Sequence, residues 1–182
     1  MLLFNSTVAE PQKQDKISRI YLDYYSCMAY SAGKYLKNKA DIEDTVHDTM
    51  VKLISVIDTL DLSDPVKVRH LCSVVARNTA INRVKLKSNN TVPLDDIFDV
   101  CIPDTPESVV VSNETVNILV KAINSLGDTY RDVCRLRYIN GLKVQQIASL
   151  LELNEKTVNQ RLFRAKQMLR KALVKENING KN

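Results

Sequence analysis

The sequence predicts an all-α protein: two small helical domains joined by a flexible acidic linker, the carboxy-terminal domain a helix-turn-helix. Three observations carry that prediction. Apolar residues recur at three- and four-residue steps rather than in alternation, the period of helices. The 182 residues include only four glycines and five prolines, spread along the chain. No Lys or Arg occurs between Lys87 and Lys121, a gap that carries Pro93, Pro103 and the acids Asp95, Asp96, Asp99 and Asp104. The length suits one medium or two small domains, and a hydrophobic content of 45% is enough for a core.

Residues 1 to about 13 read as flexible, and MLLFNSTVAEPQ is too short and too weakly basic for a signal peptide. A first helix is predicted from Gln14 to about Lys39, holding Ile17, Ile20, Tyr21, Tyr24, Tyr25, Met28 and Tyr35. Tyrosines at helical spacing read as core, the alternative being stacking on bases. Asp41 then caps a second helix, DIEDTVHDTMVKLISVID, with Asp44 three residues on in a box-like arrangement. Its buried stripe is Val46, Met50, Leu53, Ile54 and Ile57, which leaves Glu43, Asp44, His47 and Asp48 as an acidic outer edge. Such an edge serves capping and solubility, or it docks a basic partner.

Asp64-Pro65 is a cap followed by proline at the first helical position. The helix to about Lys87 turns Val68, Leu71, Cys72, Val75, Thr79 and Val84 inward, and its later half is basic and polar: Arg77, Asn78, Asn82, Arg83, Lys85 and Lys87. Residues 89–104 form the linker, a tether or an acidic stand-in for nucleic acid in a channel. Thr105-Pro106-Glu107 opens the second module, whose first helix runs to about Asn124 with Val109, Val116, Leu119, Val120 and Ile123 apolar. Asp128 is predicted to cap the next helix, which ends near Tyr138, and Asn140-Gly141 turns into the last pair. The module spans 105–175, with a frayed tail at 176–182.

That last pair organises the module. Lys143 to Leu151 is a short helix with Ile147, Ala148, Leu150 and Leu151 apolar; Glu152-Leu153-Asn154 is the turn; Val158, Leu162, Ala165, Leu169 and Leu173 line a longer helix. Asn154 suits the N-cap. Together these make a helix-turn-helix, whose second helix enters the major groove. Its outward face carries Lys156, Asn159, Gln160, Arg161, Arg164 and Lys166. Asn and Gln pair with adenine, Arg and Lys with guanine or phosphate. From Arg131 to Lys175 there are eleven cations and three anions, an excess that attracts a polyanion.

Other classes find little footing. No long apolar span or lipidation motif points to a membrane. Cys27, Cys72, Cys101 and Cys134 lie far apart, and Cys27, Cys72 and Cys134, among apolar neighbours, read as buried reduced thiols in a cytoplasmic protein. No cofactor, metal-ligand cluster, P-loop or nucleophile-plus-base arrangement is legible, so the reading is not an enzyme.

The run SLGDTYRDVCRLRYINGLKVQQIASLLELNEKTVNQRLFRAKQMLRKAL resembles the promoter-binding domain four of bacterial sigma factors; DIEDTVHDTMVKLI and HLCSVVARNTAINRVKLKS resemble domain two. The order and size resemble the extracytoplasmic-function (ECF) group of the sigma-70 family of RNA polymerase sigma factors. The resemblance covers most of residues 14 to 174, and the paired motifs are more specific than either alone. It implies a transcription initiation factor, cytoplasmic and nucleoid-associated, that binds core RNA polymerase and promoter DNA, both duplex and melted single strand. Residues 14–88 would be domain two, with Glu43, Asp44 and Asp48 as polymerase contacts and Arg77, Asn78, Asn82 and Arg83 holding the melted minus-10 strand. Residues 105–175 would be domain four, with Lys156, Thr157, Asn159, Gln160, Arg161, Phe163, Arg164 and Lys166 on the minus-35 duplex. The linker would thread the polymerase channel, and an anti-sigma factor is a common partner in the family.

The sequence departs from the family pattern in places. A Trp common in domain two is absent, with His70-Leu71 standing there, and His47 replaces a Gln. Asn159-Gln160 replaces a frequent basic-serine pair, so the promoter sequence does not carry over. Glu152 stands where many turns have Gly, which implies a different turn geometry. A dimeric operator-binding regulator is the rival; it would need a dimer surface and a palindromic site.

Overall fold

The computed structural model describes residues 11–88 and 114–179, and side chains within 13–87 and 118–172. The predicted linker, the 105–107 helix start, Cys101, Val109 and the side chains of Val116, Leu173 and Lys175 lie outside these. The described residues hold seven α-helices and no strand, in two units, 1–91 and 92–182.

In the first unit α1 (Pro11–Gly33), α2 (Lys39–Ile54) and α3 (Pro65–Ser88) all pack on one another, with a 3-10 turn at Ile57–Thr59. Helix α1 buries Ile17, Ile20, Tyr24, Met28 and Ala32, a stripe of three- and four-residue steps. Tyr24 is therefore core, while Tyr21, Tyr25 and Tyr35 are half-buried. The helix ends at Gly33, short of the predicted Lys39. Leu36, four residues past Ala32, still joins Ala32 and Ala80 in the core, with Tyr35 and Ile42 packed alongside. Asn38, not Asp41, then caps α2: its Oδ1 accepts from the Ala40 N–H at 3.0 Å.

The core of α2 is wider than its apolar pattern. Thr45 and Thr49 are fully buried beside Val46, Met50 and Leu53. Their hydroxyls donate to the Asp41 and Thr45 carbonyls, each at 2.7 Å, so no buried donor is wasted. Ile54 is only half-buried. Asp64 caps α3 as predicted, accepting from the Val66 and Lys67 N–H groups at 3.0 and 3.1 Å. Val68, Leu71, Cys72, Val75 and Thr79 face inward; so do Val74, Ala76, Ala80 and Ile81, whereas Val84 is exposed.

In the second unit α4 (Glu114–Asn124), α5 (Asp128–Cys134) and α6 (Val144–Leu151) support α7 (Glu155–Asn179), which continues past the predicted end at 175. Leu119 is exposed and Val120 half-buried; among the described side chains of α4, Ala122 and Ile123 are buried. Asp128 is the first residue of α5 rather than its cap; it pairs with Arg131 one turn on. After Cys134 the helix widens into a π-turn over Arg135–Ile139, closed by the Asn140 N–H on the Arg135 carbonyl at 2.9 Å. Gly141 follows at φ 72, with no atom within 4 Å of where a Cβ would sit, so backbone conformation rather than space calls for glycine there. This sequence of turns delivers Leu142, 1% exposed, to the core.

Candidate nucleic-acid and protein interfaces

In the second unit the site is built on one face of α7. Val158, Leu162, Ala165 and Leu169 are buried and anchor the helix over Ile147, Ala148, Leu150 and Leu151 of α6. The turn between them is set at both ends. Glu152 takes the left-handed conformation, φ 54 and ψ 45. The Leu153 N–H then closes back on the Ala148 carbonyl at 2.9 Å. This is the glycine-type helix end made by a glutamate, so the different turn geometry expected for Glu152 is corrected. Two residues on, Asn154 Oδ1 accepts from the Thr157 N–H at 2.6 Å and starts α7 as the sequence predicted. At the entry to α6 the Gln146 side chain accepts from the Lys143 backbone N–H at 2.8 Å.

With its inner face pinned, α7 presents Lys156, Asn159, Gln160, Phe163, Arg164 and Lys166 as exposed side chains; Thr157 and Arg161 are half-buried at the margin. Phe163 is 63% exposed, far above what core packing would leave an aromatic ring. Tyr138, half-exposed just before the Asn140-Gly141 turn, lies beside this face: the Lys166 ammonium sits 5.9 Å from its ring centroid. Sequence reading did not single it out, and an isolated aromatic ahead of a turn carries little signal.

The basic surplus of this unit is less available than a count of cations suggests. Arg131 binds Asp128. Arg135 donates to the Asn124 side chain from Nη2 and Nε at 2.6 and 3.1 Å, and Arg137 to the Leu142 carbonyl at 2.9 Å. These three hold α4, the π-turn and the Gly141 turn together. Behind α7, burial pushes the Cys134 thiol up to about 11, with the Lys166 charge pulling the other way.

In the first unit the predicted site residues fall into two groups that meet. On α2, Glu43, Asp44 and His47 are exposed and Asp48 is half-buried, the acidic edge expected. On α3, Arg77 is only 7% exposed, so it belongs to the helix packing. Asn78 is half-buried and donates to the Val74 carbonyl at 2.8 Å; Asn82 is half-buried. Arg83 crosses to α2: Nη2 reaches Asp48 at 2.6 Å and Nη1 reaches Asp44 at 3.1 Å. Lys87 reaches both Asp41 oxygens at 2.7 Å. Burial opposes the Arg83 charge, but the hydrogen bonds it donates to Asp48 and Asp44 outweigh it and hold its pKa above the ordinary value. Nothing in the one-dimensional pattern joins residues 44 and 83; only the crossing of the two helices does.

Cys72 is buried and Cys27 half-buried, and burial raises both thiols. Among the described residues no three His, Cys, Asp or Glu side chains are grouped to hold a metal ion, and no helix is long and apolar enough to cross a membrane.

A two-unit helical chain with a capped, outward-facing basic helix in a helix-turn-helix is a DNA-binding regulator by class. Comparison with known proteins narrows it. Residues 20–89 match the family model for sigma-70 region 2, and residues 117–169 the model for sigma-70 region 4. The ECF RNA polymerase sigma factor SigM of Bacillus subtilis (strain 168) is 26% identical over 163 residues, covering 90% of this chain and 98% of its own. The ECF RNA polymerase sigma factor SigW of the same organism is 28% identical over 165 residues, 85% of each chain. The sigma factor RpoE of Bartonella quintana, solved with the anti-sigma factor NepR, aligns over 88% of this chain and 97% of its own at 19% identity and a TM-score of 0.40, too loose a likeness to argue from. The chain belongs to the sigma-70 family and is an ECF-type sigma factor, a factor for promoter-specific transcription initiation.

Proposed function

We propose that this chain docks on core RNA polymerase through the acidic edge of α2, reads minus-35 duplex with α7 and holds the melted minus-10 strand along α3. The observation that carries the reading is α7 itself. Four buried side chains fix its inner face while Asn159, Gln160, Phe163 and Arg164 stand exposed on the other. Seated in a major groove, the two amides pair with adenine edges, Arg164 with guanine, and Phe163 packs on a thymine methyl. Lys156 and Lys166, with Arg161 at the margin, neutralise phosphates, and the Thr157 hydroxyl donates a hydrogen bond to one, which sets the register.

The work is binding energy rather than covalent chemistry. Opening a duplex costs stacking and pairing energy, and a protein offsets it by capturing an extruded base and tracking the single strand with cations. Arg83, Asn82 and Asn78 supply that face of α3, with the buried Arg77 supporting the helix from behind. Glu43, Asp44 and Asp48 meet a cationic polymerase surface.

Run-off transcription from fragmented source genome, with core RNA polymerase and with or without this chain, tests the reading. Discrete new transcripts that require the chain are expected. No new transcripts from a folded chain that binds DNA by itself would favour a dimeric regulator instead.

A further inference from the structure

The residues proposed for polymerase docking and for strand capture are bonded to each other. Arg83, the strand-holding cation of α3, has Nη2 on Asp48 at 2.6 Å and Nη1 on Asp44 at 3.1 Å, with Asp41 at 3.9 Å. Lys87, one helical turn on, takes Asp41 at 2.7 Å. A guanidinium forked onto two carboxylates is not free to fork onto a phosphate. Nor do those carboxylates present their full charge to a cationic partner.

The exposures say how firmly the contact holds. The Asp44 and Asp48 side chains are 67% and 48% exposed, the Arg83 side chain 22%. Pairs this open to water are weak individually and exchange partners readily. The carboxylates can therefore be reached from outside while the guanidinium, lying inside them, cannot leave for a strand without giving them up.

We propose that the α2–α3 ion pairs are a latch: in the free chain Asp44 and Asp48 occupy Arg83, and a cationic protein surface that docks on those carboxylates displaces it toward the DNA strand. The occupant follows from charge, since only a cationic partner replaces a guanidinium on two carboxylates. Polymerase docking and strand capture are then positively coupled, each favouring the other by the same factor. The inference rests on the proposed function for the identity of that partner, here core RNA polymerase.

The test is a double-mutant cycle on the full chain, read as binding of a fluorescein-labelled oligo-dT at low salt by anisotropy. Asp44→Asn/Asp48→Asn is expected to tighten oligo-dT binding about fivefold, the scale of two surface ion pairs released together. Asp15→Asn/Asp23→Asn on α1, with the same change in net charge, controls for general electrostatics. In an Arg83→Gln background the carboxylate changes should gain no more than that control. An equal gain in both backgrounds, a gain no larger than the control, or no oligonucleotide binding by any variant overturns the latch. Should the double substitution unfold the chain, Asp48→Asn alone serves the same cycle. Polymerase is absent from this assay, so failure of the latch appears here, whereas failure of the sigma reading appears in run-off transcription.

Discussion

The two basic helices of this chain look alike in sequence and are treated differently by the fold. On α7 the cations Lys156, Arg164 and Lys166 stand exposed, beside Asn159, Gln160 and Phe163. On α3 Arg77 is buried, Arg83 is tied to Asp44 and Asp48, and Lys87 to Asp41. One face is open to solvent; the other is engaged with the protein's own acids. A rigid duplex needs a preformed surface, because its groove is always present. On the proposed function, a melted strand exists only once the promoter opens, and an α3 face held in reserve until then would avoid capturing stray nucleic acid.

The comparison can be broken most directly at α7. Arg164→Ala should weaken minus-35 duplex binding by roughly ten- to a hundredfold, the worth of a good base contact, while core polymerase binding stays unchanged. Gel-shift and pull-down assays measure the two, and equal loss of both would count against the role given to Arg164. Next is Asp44→Lys, which puts a cation beside Arg83 and reverses the docking charge. Polymerase affinity should fall by roughly tenfold or more with duplex binding retained; undiminished pull-down would remove Asp44 from the docking face.

Smaller effects test what holds α7 ready. Asn154→Ala removes the cap and should cost about 1 kcal/mol. Hydrogen exchange would report reduced protection in α6 and α7 and none in α1 to α3; a change in both units would mean the cap is not local. Glu152→Gly relieves a left-handed non-glycine residue and should stabilise the second unit by about 1 kcal/mol. A lower thermal midpoint would mean that the glutamate side chain matters more than its backbone. Lys166→Gln should reduce the salt slope of duplex binding by about one unit, while Arg83→Gln leaves it alone. Equal slopes for the two variants would erase the distinction between the faces.

Much of the site was readable in one dimension because its signals are local. Asn154 sits three residues before the N–H it caps, and the Val158, Leu162, Ala165, Leu169 stripe is one helix face. The same holds for Asp64 before Pro65. Where local signals compete, reading failed. Asp41 is a good cap, but α2 already begins at Lys39, and Asn38 caps it by accepting from the Ala40 N–H. Asp128 looked like a cap and instead pairs with Arg131. Glu152 looked wrong for its turn, yet the two helices it joins bury enough apolar surface to hold a glutamate at φ 54.

By itself the sequence determined the all-α class, the position of the helix-turn-helix, the acidic edge of α2 and the exposed polar and basic residues of α7. Each depends on spacing within one helix or on a cap a few residues away, and such interactions are written in order along the chain. The tertiary structure alone decided which cations are free to act. Arg131, Arg135 and Arg137 are spent on holding turns. Arg83 meets Asp44 and Asp48 across thirty-nine and thirty-five residues of chain. A charge's availability depends on what lies within a few ångströms, and only the packing of one helix on another sets that.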